Sequence, residues 1–361
     1  NQTSNVISIF WKMIFFYFFC MNKIFFQTKI LSVLAVLMFS MAQVFAESGK
    51  SIAKTDFFPH NPTTEKFNET WSYQFVFDNG TKAFMNIASL HIPASGRKIG
   101  CDLAFWNFNG KSYSVGRQYP KERLVAQKEK DRITIKEEYI LENLPGKGHR
   151  VFFSTSKNGD FLLDLTFESA KKGFVPANNS ESLGNDKFTQ FIHIPYGRVS
   201  GKIAYNSDTL EVKGYAMMEH SFQTAQATDI AKRVISFATR NSSKPFSGKI
   251  GIAENGKLFG YAVSYKNDNV EILKPLKISV DKKDYDGEKF PKNALEILWS
   301  DSSVTTINAN KPQQKFSLLN NFDGWLAKKA VKVLMGGEPF FYRGQNKNAE
   351  NKIMDCSVAG L

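Results

Sequence analysis

His220 lies in the stretch GYAMMEHSFQT, residues 214–224, directly after Glu219 and three residues before Gln223. A carboxylate and an imidazole are common partners in proton transfer near neutral pH, so Glu219 and His220 are the first candidates for general acid–base catalysis. Met218, Tyr215 and Gln223 are candidates to contact a ligand beside His220, and Trp71 and Tyr73 could add an aromatic lining. An extended chain sends successive side chains to opposite faces. Tyr215, Met217, Glu219, Ser221 and Gln223 then share one face, and Ala216, Met218, His220 and Phe222 share the other. Without a bulge, Glu219 and His220 point apart, and so do His220 and Ser221. An acid–base site here needs a partner from another strand. The plainer readings are a hydrogen-bonded structural His220, an exposed Glu219, and core packing for Trp71 and Tyr73.

His60, His91, His149, His193 and His220 show no metal-ligand spacing, and no Cys-x-x-Cys occurs, so the sequence points to no metal and no cofactor. Cys101, after Gly100 in an apolar run, reads as a small buried hydrophobe. Export would permit a pairing with Cys356.

The elements that must carry these residues are strands. In WSYQFVFDNGTKAFMNIA, Trp71, Tyr73, Phe75 and Phe77 alternate with Ser72, Gln74, Val76 and Asp78, the period of a half-buried strand. Asn79-Gly80 follows, a hairpin dipeptide suited to positive φ, and the same pair recurs at Asn109-Gly110, Asn158-Gly159 and Asn255-Gly256. Asp286-Gly287 is a fifth turn candidate. Short strands, polar turns and little helix indicate an all-β chain of meandering barrels, each with room for one ligand. Two helices stand out. A short one runs over 227–233. A later one has Trp325, Leu326, Ala330, Val333 and Leu334 on one face and Lys328, Lys329 and Lys332 on another, and ends at Gly336-Gly337.

The expected organisation is in four parts. Residues 1–20 read as upstream sequence outside the native protein. Residues 21–46 read as a signal peptide: Lys23 and Lys29, an apolar run over 30–41, and Val44-Phe45-Ala46 before Glu47. That run is too short to span a bilayer. One barrel is expected over 60–195 and a second over 196–350, with the boundary at about Pro195 after the polar stretch 171–187. The 361 residues carry a net charge of +13; removing 1–46 takes away Lys12, Lys23 and Lys29 and no acid, leaving +10. The excess lysines are scattered, with no nucleic-acid motif, and suit a soluble surface with some attraction to an anionic membrane.

The segment IPYGRVSGKIAYNSDTLEVKGYAMMEHSFQTAQATDIAKRVISFA resembles the centre of the fungal survival-factor family of tandem lipocalin-like proteins. The resemblance rests on a Gly-x-Ala-Met segment, a histidine three residues before a glutamine (His220, Gln223), and Arg233 after the short helix. WLAKKAVKVLMGGEPFFYRG resembles that family's last helix and strand, and NETWSYQFVFDNGTKAFMNIA its first barrel. The opening and the Glu-His pair also resemble the wider lipocalin-like superfamily that includes the carotenoid 1,2-hydratases. Glu219 departs from the fungal pattern, where an apolar residue is usual. The resemblance implies two antiparallel lipocalin-like (calycin) β-barrels in tandem with a short C-terminal helix. It implies a carrier of a hydrophobic small molecule, a lipid or isoprenoid; the signal segment, which differs from the fungal proteins that act inside the cell, makes that carrier exported, periplasmic or secreted. The alternatives are a hydratase- or cyclase-like enzyme acting by proton transfer, and a non-catalytic envelope module.

The signal reading fixes where the mature chain starts. N-terminal sequencing of the protein from its native host is expected to begin at or near Glu47; finding residues 21–46 still attached would overturn it.

Overall fold

The computed structural model describes residues 49–360, apart from 93–95, 145–147, 240–242, 267–268, 281–293, 309–313, 349–352 and most of 318–339. The expected signal segment and the Asp286-Gly287 turn lie outside the described residues, and the late helix does so for the most part. Among the described residues, no helix is long and apolar enough to cross a membrane.

Alternating patterns become long antiparallel strands, as the sequence indicates, and the strands form two large sheets. The first runs in the spatial order Lys111–Pro120, Gly96–Phe108, Lys82–Ile92, Asn68–Phe77, Asp208–Gln223, Asp186–Tyr205, Phe161–Ala170, Gly148–Thr155, Tyr139–Leu144, Arg132–Ile135 and Leu124–Gln127. The second runs Asn269–Leu273, Leu258–Lys266, Phe246–Ile252, Arg233–Thr239, Ile353–Gly360, Phe340–Asn348, Val304–Asn308, Ala294–Trp299 and Pro275–Val280. In both, the two end strands follow one another in the chain. Each sheet has curled until its edges approach, although no ladder joins the two ends among the described strands. The first wraps a core drawn from its whole width: from the end strand Lys111–Pro120, Tyr113 stacks on Tyr205 of the central strand at 3.8 Å, and Tyr119 meets Tyr139, on the third strand from the other end, edge-on. A separate core built around Phe237, Ile297 and Trp299 fills the second.

The boundary is not at Pro195. That residue lies inside the strand Asp186–Tyr205, which pairs with Asp208–Gln223 along a long hairpin of the first sheet. The chain changes sheets between Gln223 and Arg233, through the short helix Ala227–Ile230. Composition misleads here because the polar stretch 171–187 is an excursion whose short strands return to the same hairpin. His220 and Gln223, expected in the second barrel, therefore belong to the first.

The sheets are tied by buried polar groups. Arg343, fully buried on Phe340–Asn348, donates to the carbonyls of Ala83 and Phe75 at 2.9 and 3.1 Å. Lys249 reaches Glu219 at 2.8 Å, and the Tyr261 hydroxyl accepts the Ile192 N–H at 3.0 Å.

Asn109-Gly110 and Asn158-Gly159 have positive φ at both residues, as a two-residue turn requires. At Asn79-Gly80 and Asn255-Gly256 the loops are longer and the glycine alone is left-handed. Gly214 serves close approach instead: a Cβ there would sit 2.2 Å from the Val76 carbonyl oxygen and 2.7 Å from the Phe77 Cα. Backbone cannot yield cheaply. Gly214→Ala is expected to cost about 3 kcal/mol, the upper end of overpacking. Gly110→Ala meets nothing within 4 Å and carries strain from its φ of 77° alone, so it is expected to cost about 1 kcal/mol. Urea unfolding midpoints of the two variants check the ranking.

Candidate functional site

The strand Asp208–Gln223 pairs with Asn68–Phe77 without a register break, from Gly214 opposite Phe77 to Gln223 opposite Asn68. Alternation is therefore regular, and Glu219 and His220 do face opposite ways. Both faces are buried. Glu219 turns toward the second sheet, where Lys249 holds it, and its Oε2 is buried without a hydrogen-bond partner. His220 turns into the first barrel, and its carboxylate partner is Glu69 rather than Glu219.

The His220 ring is fully buried. It lies flat on Trp71, with ring centres 4.6 Å apart and planes 12° apart. Its Nδ1 lies 2.7 Å from the Asp56 carbonyl oxygen and its Nε2 lies 2.8 Å from Glu69 Oε1. The same Glu69 oxygen lies 2.8 Å from His60 Nδ1, and the His60 backbone N–H donates to both Glu69 oxygens at 3.1 Å. Burial pushes the Glu69 carboxyl pKa up, but the hydrogen bonds and charges of His220 and His60 outweigh it and hold the group below its ordinary value. Glu69 is a buried carboxylate.

A second group stands beside the first. Tyr73 and His149 are both buried, and the Tyr73 hydroxyl lies 2.8 Å from His149 Nε2. His149 Nδ1 lies 3.0 Å from Asn143 Oδ1. The amide oxygen accepts only, so Nδ1 carries the proton and Nε2 accepts from the tyrosine. Burial pushes the His149 pKa down to about 3. His193 is also neutral: burial comes first, then the neighbouring His220 and His149, and together they hold it well below its ordinary value. Its Nε2 is buried and has no hydrogen-bond partner.

His149 and His193 line a pocket of about 320 Å3, with Phe57, Asn143, Gly173 and Ile194. Lys54, Lys171 and Lys172 also line it. The 3-10 turn Lys54–Phe57 forms one side, anchored where the Phe57 carbonyl accepts the Trp71 indole N–H at 2.9 Å. His193 owes its place to a bulge. Between Phe191 opposite His220 and Ile194 opposite Met218, the strand Asp186–Tyr205 carries one residue more than its partner. The extra residue lets His193 and Ile194 both reach the pocket, where strict alternation would send them apart. Pro195, which lacks an N–H for the ladder, follows at a second register break.

The sequence-marked residues fall into three places. His220, Met218, Trp71 and Tyr73 are together in the first core but stand behind the pocket. Tyr215 faces outward, stacks on Tyr196, and lines a separate hollow with Asp78 and Arg198. Gln223 donates to the Ala225 carbonyl at 3.1 Å near the strand end. Cys101 is buried with a free thiol. Sequence reasoning missed Glu69, His60, His149 and His193. Period two could have found two of them: Glu69 shares the face of Trp71 and Tyr73, and His149 that of Val151 and Phe153. Nothing in the sequence marks His60, and the bulge hides His193.

Two curled antiparallel sheets in one chain, each on its own core, define a tandem lipocalin-like fold. Solved structures share it. A candidate AttH (NE1406) of Nitrosomonas europaea superposes with a TM-score of 0.59 at 11% identity, over 87% of this chain and 98% of that one. Kievitone hydratase of Nectria haematococca gives 0.50 at 10% identity, over 87% and 94%. CghA, solved with Sch210972, gives 0.52 at 11% identity, over 88% and 95%. At such identities the likeness establishes fold. No protein-family profile matches the chain, and no curated protein does.

The neutral His149 makes stability depend on acid. Its folded pKa of about 3 lies below the ordinary 6.5. Between those values the unfolded chain takes up a proton that the folded chain refuses, so stability falls as pH drops, by about 1.4 kcal/mol per pH unit. His149→Gln, weaker at pH 7, is expected to show a shallower loss between pH 6.5 and 4 in urea titrations.

Proposed function

We propose that the protein is an enzyme of the proton-transfer type. It hydrates, dehydrates or isomerises a hydrophobic small molecule bearing an oxygen function, bound in the pocket of the first barrel. The observation that carries this reading is the pocket wall: a buried, unpartnered His193 Nε2 beside a neutral His149 fixed by Tyr73 and Asn143. Burying polar rings without full partners is costly, and a carrier of a purely apolar molecule gains nothing from it.

His193 is assigned the base: its free Nε2 accepts a proton from water or from the substrate. His149, with both ring nitrogens engaged by Tyr73 and Asn143, is assigned the role of a fixed neutral wall beside the base. In a hydration of a C=C bond, His193 takes a proton from the attacking water as its oxygen bonds to one carbon, and the protonated ring returns that proton to the neighbouring carbon as the π bond opens into the new C–H bond. The lysines lining the pocket favour a substrate whose polar end carries negative charge. Kievitone hydratase, by its name, adds water, and it has this fold.

Membership of the lipocalin-like group that holds the carotenoid 1,2-hydratases and the survival factors is part of the proposal, supported by the motifs around His220. So are export through residues 21–46 and attraction of the basic mature chain to anionic membranes. The carrier reading favoured from sequence becomes the competing outcome.

Native mass spectrometry of protein purified from its host identifies the bound molecule. That molecule, incubated with the enzyme in D2O, is expected to gain deuterium or the mass of water. His193→Ala is expected to lower this turnover by about 10²–10⁴-fold, while ligand still binds. A molecule bound and returned unchanged, with no deuterium, would make the protein a carrier.

A further inference from the structure

The His60–Glu69–His220 cluster calls for a positive charge at its centre. The Asp56 main-chain oxygen can only accept, so His220 Nδ1 must carry a proton to meet it at 2.7 Å. In a neutral ring that leaves Nε2 as a bare lone pair, aimed at a carboxylate oxygen 2.8 Å away. Two acceptors cannot share that distance unless something positive lies between them. The same Glu69 Oε1 also receives His60 Nδ1 at 2.8 Å and the His60 N–H at 3.1 Å. Three groups crowd one oxygen in a site where Glu69 and His220 are 2% and 0% exposed.

The geometry points to a divalent metal site in which His220 Nε2, His60 Nδ1 and a Glu69 carboxylate oxygen bind one first-row ion, with zinc the best match. The three donor atoms lie within 4.8 Å of one another. Two imidazoles and one carboxylate are an established zinc donor set that leaves a fourth position for solvent. The outer contact is in place: a metal-bound histidine usually donates its other ring N–H to a carbonyl or carboxylate, as His220 does to Asp56. Trp71, Phe191 and Phe222 pack around the rings and keep the interior dry. The His60 side chain is 29% exposed, so the ion has a way in from solvent. Binding moves the donors from hydrogen-bond spacing to the wider spacing set by metal bonds of about 2.0–2.2 Å, and releases the His60 Nδ1 proton.

No local motif announces this site, because the ligands lie on three separate segments. It is also distinct from the pocket: no His149 atom is a donor, and the proposal stands whether the protein is an enzyme or a carrier.

Zinc content and affinity of the purified mature chain test it. Protein stripped with a chelator and titrated with Zn2+ in a calorimeter is expected to bind one equivalent and to gain melting temperature. Co2+ is expected to give visible absorption of a low-coordinate nitrogen–oxygen site. His60→Ala alters the part-exposed ligand, so it is expected to fold and to weaken Zn2+ binding by about 100-fold or more. His91→Ala, outside the cluster, is expected to bind like the parent. Under a tenth of an equivalent bound at excess Zn2+ by the folded parent, or equal binding by His60→Ala, would overturn the proposal. The positive charge facing Glu69 would then be a second proton on His220.

Discussion

A strand sends neighbouring side chains to opposite faces, and over residues 214–221 of Asp208–Gln223 both faces are buried. Almost every other feature follows from that constraint. Polar residues on a doubly buried strand need partners on both sides, because an unpaired buried charge is far costlier than an exposed one. The sequence places Glu219 and His220 next to each other, so the fold supplies Lys249 from the second sheet for one and Glu69 from the adjacent strand for the other. Gly214 belongs to the same arrangement, since a side chain there would strike the backbone of the pairing strand.

The two sheets are therefore joined through polar contacts as well as apolar packing. Arg343 crosses from the second sheet to satisfy two main-chain oxygens of the first, and lies over the Trp106 ring. Tyr261 does the same for the Ile192 N–H. Directional contacts of this kind fix how the sheets meet more narrowly than apolar contact does. The same hairpin carries the bulge that presents His193, so the joint between sheets and the shape of the pocket share one element.

Inside the first barrel, partners decide which buried polar side chains are charged. Glu69 stays ionised because two histidines face it, and His149 stays neutral because it is buried with only neutral partners. Neighbouring groups thus hold opposite protonation states in one core, the arrangement that proton-transfer chemistry needs. The buried carboxylate and the neutral imidazole come from different strands, and the adjacent Glu219 and His220 face opposite ways.

Period-two alternation and the Asn-Gly dipeptides were enough to establish an all-β, antiparallel chain, because both reflect local backbone geometry. They also grouped Trp71 with Tyr73 and Met218 with His220, each pair on one strand face, without saying which face of Asp208–Gln223 turned inward. Composition could not place the change of sheets, since the polar stretch near 171–187 folds back on a hairpin that runs through Pro195. Tertiary structure alone brought His60, Glu69 and His220 together, and it alone carried His193 and His149 to one pocket. The sites depend on contacts between segments up to 160 residues apart (the loop residue His60 and the strand residue His220) and on one extra residue in a bulge. Neither leaves a periodic trace along the chain, because a sequence pattern records which face a residue takes and not which distant residue it meets there.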